Sequence, residues 1–111
     1  MAKVKTISAK DFKEFNKHGK IKLIDVSKIE KFNAGSIPNS VNVPYKIFKT
    51  SYQSFAKKDM PNYVTDYAGT RKAAKAAKIL MKNGYDVTFI EGGSDAYAIH
   101  YNLVRLIRTE E

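Results

Sequence analysis

The loop at residues 66–71 joins a strand-like run to a helix-like one, and its residue types suit anion binding. Backbone N–H groups at a helix N-terminus point into such a loop, and together with the helix dipole they favour negative charge. Gly69 lets the backbone turn without a Cβ clash, and Arg71 can bind an oxyanion through two hydrogen bonds. The sequence therefore predicts an anion loop after Asp66, formed by Tyr67, Ala68, Gly69, Thr70 and Arg71. The alternative is an ordinary strand-to-helix turn with a surface arginine.

Two aspartates could meet at this loop. Asp25 ends another predicted strand, so its carboxylate can approach that of Asp66 at one edge of a parallel sheet. A nucleophilic aspartate would give aspartyl-phosphate chemistry, but that chemistry needs Mg²⁺ and further carboxylates. An aspartyl enzyme is therefore a disfavoured alternative.

The absence of cysteine from all 111 residues rules out disulfides, thiolate catalysis and thiolate metal sites. His18 and His100 lie far apart without ligand spacing, so we expect no metal and no cofactor. The chain has no run of about 18 apolar residues that could span a membrane. Its first residues do not form a signal peptide. We expect a cytoplasmic location.

The net charge of +9 favours an acidic partner, whether a protein face, a nucleic acid or a small anion. The alternative is a solvated basic surface, because the lysines are scattered. Four lysines recur at helical spacing after the anion loop, namely Lys72, Lys75, Lys78 and Lys82. They form either a docking face or the solvent-exposed face of an amphipathic helix. Nucleic-acid binding is disfavoured, since no aromatic residues interleave with this basic run.

Strand-like and helix-like patterns alternate along the chain, which predicts one α/β domain over residues 1–111. The predicted sheet is mostly parallel and five-stranded, with helices on both faces; its strands are at 4–7, 21–26, 41–43, 62–65 and 87–90. Five helices are predicted. The first begins with Ser8 as its N-cap, the second covers 27–32, and the third lies within 45–58. The fourth covers 70–82, and the fifth runs from an N-cap at Ser94 to Ile107.

Five segments, in order, resemble the rhodanese family. The segment Asp66-x-x-Gly69-x-Arg71 is similar to the family's active-site loop, Cys-x-x-Gly-x-Arg. Residues 23–26 resemble its Asp-Val strand, and residues 32–44 resemble its Gly-His-Ile-Pro-Gly-Ala segment. Residues 73–87 resemble its alanine-rich helix with the next strand, and residues 92–97 resemble its Gly-Gly-x-x-x-Trp ending. The resemblance spans residues 3–107 and implies a rhodanese-like fold.

The chain departs from the family pattern at the position that matters most for chemistry, because Asp66 stands in place of the nucleophilic cysteine. Other departures are Ser36 for His, Asn39 for Gly, Tyr97 for Trp, Ser27 for an Arg that often follows Asp-Val, and Lys31 for an acidic residue. The family's thiolate takes up sulfane sulfur and passes it on, which a hard carboxylate cannot do.

The resemblance thus implies a rhodanese-like domain that is inactive in sulfur transfer and serves as a binding or regulatory module. Asp66 would mark the site, with Asp25 in a supporting role. We expect the Asp66 carboxylate to accept loop N–H bonds, with Arg71 as counter-charge, and to disfavour small oxyanions. The alternative is a thiosulfate sulfurtransferase or sulfur carrier whose active form has Cys at position 66.

Overall fold

Five short strands pair side by side at the centre of the fold, in the order β1-β5-β4-β2-β3. The computed structural model describes residues 3–15 and 20–97. The strands are β1 (Lys5–Ser8), β2 (Lys22–Asp25), β3 (Val41–Asn42), β4 (Asn62–Thr65) and β5 (Val87–Glu91). Every pairing is parallel, which confirms the predicted α/β fold.

Helices connect the strands, as parallel pairing requires. They are α1 (Ala9–Phe15), α2 (Ile29–Ala34), α3 (Tyr45–Ser51) and α4 (Arg71–Lys82). A short 3₁₀ helix, Tyr52–Ser54, follows α3, and residues 93–97 are helical after β5. No helix within residues 3–15 and 20–97 is long and apolar enough to cross a membrane.

Apolar side chains fill both faces of the sheet, since neighbouring residues on a strand point in opposite directions. On one face, Ile24 and Val64 pack with Phe48 of α3 and with α4, whose buried residues are Ala73, Ala76, Ala77 and Leu80. On the other face, Leu23 and Tyr63 pack with Phe12 of α1, and the Phe12 and Tyr63 ring centroids are 5.1 Å apart. The predicted cover of helices on both faces is therefore present.

One α-helix lies within residues 45–58, as predicted, but it covers only half of that stretch, because α3 ends at Ser51 and a 3₁₀ helix follows. The backbone of Ser51, with φ −127° and ψ 14°, is no longer α-helical. Further on, the side chain of Asn62 accepts a hydrogen bond from the Lys57 N–H and donates one to the Lys57 carbonyl. These bonds take the backbone groups that a continuing helix would need.

Two helix starts also differ from the sequence prediction. Helix α2 begins at Ile29, two residues later than predicted. Ser94 is not an N-cap, because the helical segment begins at residue 93. The Ser94 N–H donates instead to the Asp66 carbonyl, at 2.9 Å, so contact with the anion loop decides where this segment starts. The rest of the predicted C-terminal helix lies outside the described residues.

Candidate functional site

Asp66 lies directly after β4 and is 3% exposed. The backbone N–H of Thr70 donates to its Oδ1 at 2.9 Å and to its Oδ2 at 3.0 Å. The hydroxyl of Thr70 also donates to Oδ2. One residue of the loop thus binds both carboxylate oxygens, and the carboxylate lies inside the loop that follows it.

Thr70 also connects the loop to α4. It is the N-cap of that helix, and its hydroxyl oxygen accepts the N–H of Lys72 at 3.4 Å. An N-cap side chain satisfies one of the N–H groups that have no partner at a helix start. The same side chain therefore positions Asp66 and begins α4.

Two glycines make the close packing of this site possible. Gly69 has φ +70°, and a Cβ there would lie 2.5 Å from the Gly92 nitrogen. Gly93 has φ +65°, and a Cβ there would overlap the Asp66 carbonyl and lie 2.7 Å from the Gly69 nitrogen. The loop after β5 therefore lies directly against the loop after β4.

Hydrogen bonds join the same two loops. The Asp66 carbonyl accepts the N–H of Ser94, and the Tyr67 carbonyl accepts that of Asp95, each at 2.9 Å. Gly92 and Gly93 resemble the family's Gly-Gly ending, but that resemblance alone did not predict their contact with the anion loop. Their position after β5 was the available signal, because β5 pairs with β4 in the sheet.

Asp25 is fully buried at the end of β2, beside the anion loop. Its Oδ1 accepts the Ser27 N–H at 2.8 Å, while its Oδ2 has no hydrogen-bond partner among the described residues. Burial raises the pKa of this carboxyl above its ordinary value of 3.8; hydrogen bonding from Ser27 opposes the shift, and the charge of Asp66 adds to it. The two aspartates therefore interact electrostatically.

Arg71 is exposed in the first turn of α4, and no hydrogen bond or ion pair of its side chain occurs in the described part of the chain. Thr70, not Arg71, holds the Asp66 carboxylate. Tyr67 and Ala68 are also exposed, and the Lys31 ammonium lies 4.6 Å from the centre of the Tyr67 ring. The outer side of the loop therefore carries positive charge.

Residues 3–15 and 20–97 contain no group of three or more histidine, cysteine, aspartate or glutamate side chains placed to hold a metal ion. His18 and His100, for which we predict no ligand role, lie outside the described residues. What the site offers chemically is a buried, hydrogen-bonded carboxylate next to a second buried carboxyl group, and neither group can form or break S–S bonds.

Solved structures share this fold. A rhodanese-like domain protein from Staphylococcus aureus is 28% identical; the match covers 85% of this chain and 91% of that one, with a TM-score of 0.74. A rhodanese-related protein from Thermoplasma volcanium is 25% identical, with 86% and 92% covered and a TM-score of 0.76. Reduced CoADR-RHD from Bacillus anthracis is 26% identical, with a TM-score of 0.75.

The match to the Bacillus anthracis protein covers 85% of this chain but only 16% of that one, so this chain corresponds to a small part of it. No curated protein sequence is significantly similar to this chain. The family profile of the rhodanese-like domain matches residues 8–100, which include every described strand except the first three residues of β1. The chain therefore belongs to the rhodanese-like domain family.

Proposed function

We propose that this chain is a rhodanese-like domain without sulfur-transfer activity and that it acts as a binding or regulatory module. The observation that carries the proposal is Asp66, which is buried at the position of the family's nucleophilic cysteine and is bound through both oxygens by Thr70. Sulfur transfer needs a polarisable thiolate that makes and breaks S–S bonds, and a carboxylate lacks that chemistry.

The same geometry argues against small oxyanions as ligands of the anion loop. The Thr70 N–H and hydroxyl are already bound to the Asp66 carboxylate. An incoming sulfate-like ion would compete for these donors and would be repelled by the charge of Asp66. A protein partner that binds beside the loop meets neither obstacle. The proposal includes a cytoplasmic location and no cofactor.

A second candidate function is sulfur transfer or sulfur carriage by a form of the protein with Cys at position 66. The observation that favours it is the loop itself, which keeps the tight turn at Gly69 and the close contact with Gly93. A thiol at the start of α4 would have its pKa lowered by the helix N-terminus. In that case Asp66 is the main chemical barrier to activity.

The direct test is the thiosulfate:cyanide assay on the chain as it stands, with a cysteine-containing rhodanese as the positive control. We expect no thiocyanate above the uncatalysed background, because the chain contains no cysteine to carry the sulfur. Multiple turnovers by the purified chain would overturn the proposal.

A further inference from the structure

A cavity of about 380 Å³ opens beside the anion loop, between the end of β2 and the starts of α3 and α4. Its floor is apolar and its rim is basic, with no aspartate or glutamate among the lining residues, which are Val26, Lys28, Pro44, Tyr45, Lys46 and Lys72. We call it the lysine cleft, after Lys28, Lys46 and Lys72. An anion with an apolar part is the chemistry that suits such a lining.

The three ammonium groups form no ion pair with the residues that the structure describes. Across the described ranges, no salt bridge involves Lys28, Lys46 or Lys72, and the first turns of α3 and α4 contain no acidic residue. Lys72 lies in the first turn of α4, where the helix dipole disfavours a positive charge. Within residues 3–15 and 20–97, this positive charge is therefore not paired with a carboxylate.

Exposed apolar side chains border the same edge of the sheet. Ile29 and Ile47 are 48% and 51% exposed, and each directly follows a cleft lysine in the sequence. Tyr67, at 37% exposed, follows β4, and Val41, also at 37%, lies in β3. Ile29, Ile47 and Tyr67 lie in segments that follow β2, β3 and β4, and such segments meet at one edge of a parallel sheet, so these apolar groups share that edge with the lysines. A small anion would cover the lysines but not the isoleucines.

We propose that the lysine cleft, together with Ile29 and Ile47, binds an acidic protein segment that carries an apolar side chain. The apolar side chain enters the cavity, and neighbouring carboxylates face Lys28, Lys46 and Lys72. This inference rests on the proposed function as a binding module and names its class of partner. Complementary charge fixes the position of the segment and speeds its association, while the apolar contact supplies affinity.

A displayed library of random dodecapeptides, selected on the whole chain, tests the proposal. We expect enriched peptides that combine Asp or Glu with Leu, Ile or Phe. A labelled enriched peptide is then measured by fluorescence anisotropy against the triple variant Lys28→Glu, Lys46→Glu, Lys72→Glu. Its binding should weaken by about ten-fold or more, because three charge pairs become repulsive.

The matched control is Lys10→Glu, Lys20→Glu, Lys57→Glu, which changes the net charge equally at exposed lysines away from the cleft. It should weaken binding by no more than about two-fold. Equal losses in the two triple variants would overturn the proposal, and so would a selection that yields no peptide or basic peptides. Displacement of the peptide by an oligothymidylate at lower concentration would also overturn it. Circular dichroism confirms that each variant is folded.

A second pair of variants tests the apolar half of the surface. Ile47→Ser should weaken binding of the same peptide several-fold, whereas the control Lys57→Ser, at an exposed position away from the cleft, should leave binding unchanged. Unchanged binding by Ile47→Ser would overturn the apolar contact. Thiocyanate formation, assayed on the same wild-type preparation, reports separately on the proposed function, so failure of docking and failure of the inactive assignment give different readouts.

Discussion

Asp66 and Thr70 together define the chemistry of the site at the scale of single residues. A carboxylate at the family's cysteine position is surrounded by donors from one threonine, which also caps α4. The replacement is thus accommodated structurally, because the buried charge is hydrogen-bonded and not left without partners. The function proposed for the chain follows from this one position.

Gly93→Ala should destabilise the fold by about 2–4 kcal/mol, because the added methyl group would overlap the Asp66 carbonyl at a positive φ. Urea or thermal unfolding followed by circular dichroism measures the effect. Gly35→Ala is the matched control, since that backbone is extended and a Cβ there meets nothing within 4 Å. Equal stabilities of the two variants would refute the close packing of the two loops.

Asp25→Asn should raise the free energy of unfolding more at neutral than at acidic pH. Because burial raises the pKa of Asp25 above 3.8, the folded state binds this proton more tightly than the unfolded state. The stability contributed by the protonated carboxyl is therefore lost as the pH rises above 3.8 and through the raised pKa. The asparagine variant has no such loss.

Urea unfolding of wild type and Asp25→Asn at about pH 4 and about pH 7 measures this difference. Asp59→Asn, at an exposed position, is the control. A difference between Asp25→Asn and wild type that is the same at both pH values would show that burial does not shift the titration of Asp25.

Among the secondary-structure elements, regular patterns were predictable and contacts between loops were not. The apolar pairs Leu23-Ile24 and Tyr63-Val64 indicated strands buried on both faces, and both predictions are confirmed. The alanine-rich run of α4 indicated its helix equally well. The end of α3 at Ser51 was not predicted, and the turn that follows at Lys57 is bound by Asn62, a residue distant from the helix pattern.

The site was predictable to a similar degree. The loop sequence and the family resemblance located Asp66. The prediction that Asp25 lies near it came from the position of both residues at the ends of parallel strands, and the two carboxyl groups do interact. The bonds from the Thr70 N–H to Asp66 agree with the expectation that the carboxylate accepts loop N–H groups. The bond from the Thr70 hydroxyl was not foreseen, since a hydroxyl in a loop can point in several directions and only the folded backbone selects one. The start of the helical segment after β5 was also predicted wrongly. The local sequence around Ser94 is typical of an N-cap, but its N–H donates to the Asp66 carbonyl in another loop.

Asn62→Ala should cost about 2–3 kcal/mol of stability, because it removes the side chain that binds the backbone of the segment before β4. The amide of Asn62 is fully buried and also donates to the carbonyls of Met60 and Asp86. Asn33→Ala, on the exposed face of α2, should change stability by less than about 0.5 kcal/mol. Comparable urea midpoints for the two variants would contradict this role of Asn62.

For the whole molecule, the distribution of charge matters more than its total of +9. Lys75, Lys78 and Lys82 are exposed on the outer side of α4, whose other side is buried, which is the arrangement of a solvated amphipathic helix. The lysine cleft differs because its cations lie at the sheet edge that carries the anion loop, next in sequence to the exposed Ile29 and Ile47. A partner that binds there would lie next to the loop that carries Asp66, at the edge of the sheet where the family resemblance places the active site.

The central claim is that Asp66 is the main barrier between this domain and sulfur transfer, and parallel thiosulfate:cyanide assays of wild type, Asp66→Cys and Asp66→Ser test it most directly. We predict that wild type and Asp66→Ser form no thiocyanate above background. Asp66→Cys should turn over at least about ten times faster than background, because the loop and the start of α4 favour a thiolate. Activity of the wild type, or a silent but folded Asp66→Cys, would contradict the claim.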